Sequence, residues 1–135
     1  MIEAAIRSIL IKDPFVSQIV GERVYFVMAP QNEGQRAHLI LQLVSSTPGR
    51  TYEGRSDWTQ GTMEITCLAS TYPAAKALFK AVSDALDEFE GTEGDTHIDY
   101  IELSESRDVP TGQPLEGRPA PMYGVQIDAE FMYHE

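Results

Sequence analysis

The segment 67–91, "CLASTYPAAKALFKAVSDALDEFEG", sets a strand end against a helix with only a short polar turn between them. Thr71 or Tyr72 supplies the N-cap, and Pro73 sits in the first turn, where its missing N–H costs nothing. Ala75, Leu78, Phe79, Val82, Leu86 and Phe89 then recur at 3, 1, 3, 4 and 3 residues, a single apolar stripe. That stripe predicts a long amphipathic helix closing the core. The helix runs out into acids, at the end where its own dipole is negative, an opposition of roughly 0.3–1 kcal/mol per group. They open a larger tract. Between Ala81 and Ser106 stand nine acids (Asp84, Asp87, Glu88, Glu90, Glu93, Asp95, Asp99, Glu102 and Glu105) and no Lys or Arg. The rest of the chain carries ten bases and twelve acids, so the net charge of −11 is a regional feature and predicts an acidic face.

Upstream, "WTQGTMEITCLAS" alternates, with Met63, Ile65, Cys67 and Ala69 on one face and Thr62, Glu64 and Thr66 on the other, a half-buried strand. "HLILQLVSS" is apolar on both faces through its first half, which predicts a central strand covered on both sides. "RVYFVMAP" reads as a strand ended by Pro30. Ile2, Ala5, Ile6, Ile9 and Leu10 mark an N-terminal helix. Asp13 and Pro14 restart the chain as a second, short helix with Phe15, Val16, Ile19 and Val20, stopped by Gly21. Downstream, "HIDYIELSES" is a strand with a bulge near Tyr100 or an edge position. The last strand turns Tyr123, Val125, Ile127, Ala129, Phe131 and Tyr133 inward, and Gln126, Asp128, Glu130 and His134 outward. The order predicts an α+β fold: a mostly antiparallel sheet of four to five strands, with an N-terminal helix pair and one long amphipathic helix packed on one face. At 135 residues, 42% hydrophobic and 23% charged, residues 1–135 read as one domain, with long loops at about 46–58 and 107–121.

There is no phosphate-cradling glycine loop, no nucleophile elbow and no zinc-ligand spacing. The lone Cys67 reads as a small core residue. Asp95, His97 and Asp99 share one face of an extended strand and raise a divalent metal site, set against a solvated acidic surface, which is the expectation taken. No catalytic, cofactor or metal residue is assigned, and the chain is expected not to be an enzyme. The acidic balance argues against a conventional nucleic-acid binder, which needs a basic stripe. No apolar run approaches membrane-spanning length, and the N-terminus lacks the pattern of a secretory leader. The two long loops carry Arg50 and Arg55, and Arg107 and Arg118. They are either mobile tips or arms that order against a neighbouring subunit, arginine being the favoured interface cation. Trp58 is an exposed interface anchor if its strand keeps register through Gly61, and a core residue if a bulge lies there.

The opening "MIEAAIRSILIKDPFVSQIVGERVYFVMAPQ", the strand "HLILQLVSS", the unit "ITCLASTYPAAKALFKAVSDALD" and the closing "MYGVQIDAEFMYHE" together resemble the small tail-completion proteins of long-tailed bacteriophages. That family includes tail terminators and tail-to-head joining proteins, and occurs in prophages and phage-derived particles. The resemblance implies a structural virion protein that forms a ring, commonly a hexamer. Such a ring caps the tail-tube protein, docks the head connector or stopper protein and lets DNA pass without sequence-specific binding. It implies assembly in the bacterial host cytoplasm and a final place at the head–tail junction, with no membrane partner and no cofactor. The acidic tract and the two loops are assigned as lumen and contact surfaces on physical grounds, not from a family motif. The competing reading is an acidic nucleic-acid mimic that inhibits a basic host protein.

Overall fold

The computed structural model describes residues 1–30, 36–51, 54–109 and 122–135, with backbone alone at 50–51 and 54–57. The elements are α1 (Ile2–Lys12), α2 (Pro14–Val20), β1 (Val24–Phe26), β2 (His38–Thr51), β3 (Gly54–Ala69), α3 (Tyr72–Leu86), β4 (Gly91–Glu93), β5 (Thr96–Val109) and β6 (Tyr123–His134). The strands form one sheet in the order β1-β2-β3-β6-β5-β4. The α+β class holds, but the sheet has six strands and is mixed. β1 runs parallel to β2, and the three-residue β4 adds an edge that no apolar pattern announces.

Local signals behave as their chemistry dictates. The Asp13 carboxylate accepts from the N–H groups of Phe15 and Val16, both at 3.0 Å. Gly21 ends α2 at φ +61°. Thr71 caps α3 by accepting from the Ala74 N–H at 3.3 Å. Leu39 and Leu41 of β2, Met63, Ile65 and Cys67 of β3, and Ile127, Ala129 and Phe131 of β6 meet Ile6, Leu10, Leu78, Val82 and Leu86 in one buried cluster. Burying each large aliphatic or aromatic side chain contributes about 1.5–3 kcal/mol. The helices cover only one face of the sheet. β2 is therefore buried mainly on one side: Leu39 and Leu41 are buried, while on the other face His38 is buried, Ile40 half-buried and Gln42 exposed.

α3 stops at Leu86, three residues before the apolar stripe ends. Asp87 is extended, and its carboxylate accepts from the Leu103 N–H at 3.3 Å. Glu88 takes φ +62°, and its N–H donates to the Ile101 carbonyl at 2.9 Å. The turn is thus fastened to the outer edge of β5, and Phe89 reaches the core from it. Of the acids at this end only Asp84 lies on the helix; Asp87 is its C-cap and turns its carboxylate to the β5 edge.

The first long loop is mostly strand. Thr47 faces Gln60, Pro48 faces Thr59, Arg50 faces Arg55 and Thr51 faces Gly54. Pairing between β3 and β6 begins at Trp58, so the tip of the β2–β3 hairpin runs on past β6 as a two-stranded ribbon. Its Gly, Pro, Ser and Thr content is loop-like locally, but a register shift between Pro48 and Arg50 accommodates it. β5 likewise continues through Val109, so 107–109 are strand; residues 110–121, Arg118 among them, lie outside the described residues.

β3 keeps register against β6 from Trp58 to Ala69, and the bulge sits in the partner strand, between Leu43 and Ser45. Gly61 makes room for it. A Cβ there would overlap the Ser45 carbonyl oxygen and come within 3.0 Å of Phe131 Cζ. β5 has the expected irregularity between Ile98 and Tyr100, and a second between Leu103 and Glu105.

Candidate functional site: the open face of the sheet

Side chains alternate across a strand, so the residues between the core positions of β3 and β6 build a second surface that none of the described helices covers. The registers align it in rows. Gln42, Glu64, Asp128 and Glu105 lie side by side across β2, β3, β6 and β5. The next row is Ser45, Thr62, Glu130 and Glu102. Like charges directly opposite cost about 0.2–1 kcal/mol per pair. Arg107, one row away, relieves the first row. It donates to Glu64 at 3.1 Å and to both oxygens of Asp128 at 3.4 Å, and the hydrogen bonds to Asp128 hold its guanidinium pKa above the usual value. Gln126 adds neutral donors, bonding Glu64 at 2.8 Å and Thr66 at 3.0 Å. Glu102, Glu105 and Glu130 stay exposed.

The acidic tract does not form one surface. Asp84, Asp87, Glu88 and Glu90 lie at the end of α3 and in the turn after it. Glu93 bonds Lys12 and Ser8 of α1, both at 3.0 Å, and Asp95 pairs with the N-terminal amine at 3.5 Å. Asp99, Glu102 and Glu105 belong to β5, and the last two face outward on the open side. Glu64, Asp128 and Glu130 complete that side, and a search for unbroken acidic runs misses them because each alternates with apolar neighbours. The β3–β6–β5 register is the signal that finds them.

The arginines divide as well. Arg50 and Arg55 face each other near the hairpin tip. Arg107 is held inside the domain by Glu64 and Asp128. Trp58 is half-buried, with continuous register placing it on the open face opposite His134; a Cβ at Gly49 would overlap its indole. Together with Asp99, Met132 and His134, Trp58 lines a shallow hollow of about 280 Å³. The His97 and His134 rings meet at a tilt with centroids 4.9 Å apart, and the Asp99 carboxylate is 3.6 Å from one and 3.4 Å from the other. The metal triad read from an ideal strand is not assembled: Asp95 sits in the β4–β5 turn and a bulge follows Ile98. Among the described residues no group of three or more His, Cys, Asp or Glu is placed to hold a metal ion. Cys67 is fully buried, which pushes its thiol up to about 12 and leaves no accessible nucleophile there. No helix among the described residues is long and apolar enough to cross a membrane.

Among curated proteins, none matches this sequence at a significant level. The fold is similar to that of a solved chain described as "Virion of native gene transfer agent (GTA) particle". The TM-score is 0.69 with 18% identity, over 98% of this chain and 94% of that one. At that identity the likeness concerns the fold. The sequence itself matches the family model of "Tail completion protein gp17" over residues 4–121. The chain therefore belongs to the gp17 tail-completion protein family.

Proposed function

We propose that this virion structural protein acts as a ring that caps the tail tube, offers a face to the head connector and lets DNA through its centre. The observation that supports the DNA path is the open sheet face, where, among the described residues, Glu64, Glu102, Glu105, Asp128 and Glu130 stand around the cation Arg107. A passage lined this way repels phosphates and keeps the moving duplex from sticking, whereas a basic lining would bind it. Six subunits is the stoichiometry we assign, by the family's common form. The hairpin tip carrying Arg50 and Arg55 is the arm that reaches a neighbour. Arg107 leaves the proposed contact set, because its charge is already spent within the subunit. Assembly takes place in the host cytoplasm, with the finished ring at the head–tail junction.

Native mass spectrometry and negative-stain microscopy with tail tubes test this reading. The expected result is closed rings seated on tube ends. A chain that neither closes rings nor binds any tube sinks it. Recovery of DNA-binding host enzymes in a pull-down, in place of tail or connector proteins, would shift the acidic face to nucleic-acid mimicry.

A further inference from the structure

We infer that neighbouring copies dock edge to edge, the Phe26–Val27–Met28 knuckle of one subunit seating in the groove beside β5 of the next. The inference deepens the ring reading and rests on it. Phe26, Val27 and Met28 are 41%, 59% and 74% exposed, three consecutive large apolar side chains in solvent. They are held there by strained backbone: Val27, a β-branched residue, sits at φ +68°, and the Met28 N–H donates to the Phe26 carbonyl at 2.7 Å in a γ-turn. The outer edge of β1 is meanwhile closed to strand addition. Arg7 Nε occupies the Val24 carbonyl at 2.9 Å, and the γ-turn occupies that of Phe26. Side chains, not ladder bonds, are what this edge offers a partner.

The opposite side of the sheet offers a complement. β4 pairs with β5 only from Thr96 to Ile98. Beyond it, Asp87, Glu88, Tyr100, Ile101, Glu102 and Leu103 line an open groove of about 470 Å³. Registers carry the level of the knuckle across the sheet: Phe26, Leu41, Ile65, Ile127 and Ser106 form one row. The groove therefore starts three residues along β5 from the knuckle's level, roughly 10 Å of strand rise, within the stagger that tilted strands bring.

Charge selects a second copy as the occupant. Arg7 stands at the knuckle and bonds the carbonyls of Val24 and Glu22 instead of a carboxylate, and residues 14–32 contain one acid, Glu22, beside Arg23. The groove presents Asp87, Glu88 and Glu102. In a chain of net charge −11, most approaches between copies are repulsive, and this one is attractive. Knuckle and groove lie on opposite edges of one sheet, so the contact is head-to-tail and propagates until the rotation closes a ring.

The test is the double variant Met28→Cys/Glu102→Cys, treated with a short bismaleimide linker, both as the concentrated chain and bound to tail tubes. Cys67 stays silent, being fully buried with its thiol pushed up to about 12. A ladder of covalent multimers is expected, with each single variant giving dimers at most. Met28→Asp should weaken self-association by at least on the order of tenfold, the scale of a lost interface anchor, without lowering the melting temperature. Rings on tubes whose double variant cross-links no further than the singles overturn the interface and leave the ring reading standing. Absence of both rings and tube binding overturns the two together.

Discussion

β6 carries two chemistries on one strand. Val125, Ile127, Ala129 and Phe131 are buried under the helices, while Gln126, Asp128 and Glu130 lie on the uncovered side among Glu64, Glu102, Glu105 and Arg107. The covered face is a packed solid in which a lost atom leaves a void. The open face is a partly exposed charge lattice, joined by the direct bonds of Arg107 and Gln126, whose members cost little to exchange. Stability is therefore concentrated on one side of the sheet, and the other side is free to be shaped by what passes or docks there.

Substitutions separate the two faces. Phe131→Ala, at a fully buried ring, is expected to cost about 3–5 kcal/mol in urea denaturation. A loss below about 1 kcal/mol would show that the covered face is not the packed core described. Gly61→Ala places a Cβ against the Ser45 carbonyl and the Phe131 ring and is expected to cost about 1–3 kcal/mol. A neutral outcome would mean that the β2 bulge moves freely. Arg107→Ala should lower the melting temperature modestly, by leaving Glu64, Asp128 and Glu105 to repel one another at a partly exposed site. Pairing it with Glu64→Gln should recover much of that loss, and strict additivity in the double-mutant cycle would remove the ion pair from the account. Glu102→Gln, facing Glu130 in the open, should be neutral or stabilise by a few tenths of a kcal/mol. Its effect belongs instead in self-association, where it removes one of three groove carboxylates, and in DNA passage and infectivity assays.

The burial of Cys67 adds a pH prediction. A thiol raised from 9.0 to about 12 stays neutral in the folded chain while the unfolded chain ionises. Its contribution is intact below pH 9 and is lost as pH rises from 9 towards 12. Cys67→Ala should flatten that alkaline decline in melting temperature.

What was legible in the sequence was whatever repeats over one or two turns of chain. The α3 stripe, the Asp13 and Thr71 caps, the Gly21 stop and the alternation of β6 all depend on neighbours within about four residues. The ribbon at 47–51 and 54–58 was not legible, because Gly, Pro and Ser say loop until a partner strand pairs with them. Phe89 fell in the stripe by periodicity, yet the helix ends at Leu86, since Asp87 and Glu88 find partners on β5. The candidate site was half legible. Glu102 and Glu105 were flagged by charge density, whereas Glu64 and Asp128 joined them only through strands far apart in sequence.

By itself the sequence determined the segments, their caps, which side of each alternating strand is apolar and the excess of acid between residues 81 and 106. Tertiary structure decided where that acid points. It scattered the contiguous run over a helix end, a sheet edge and an open face, and gathered on that face carboxylates that lie far apart in the chain. Local periodicity is a property of neighbours in the chain. Charge placement is a property of strand register, which binds Arg107 to Glu64 across 43 residues and which no local pattern encodes.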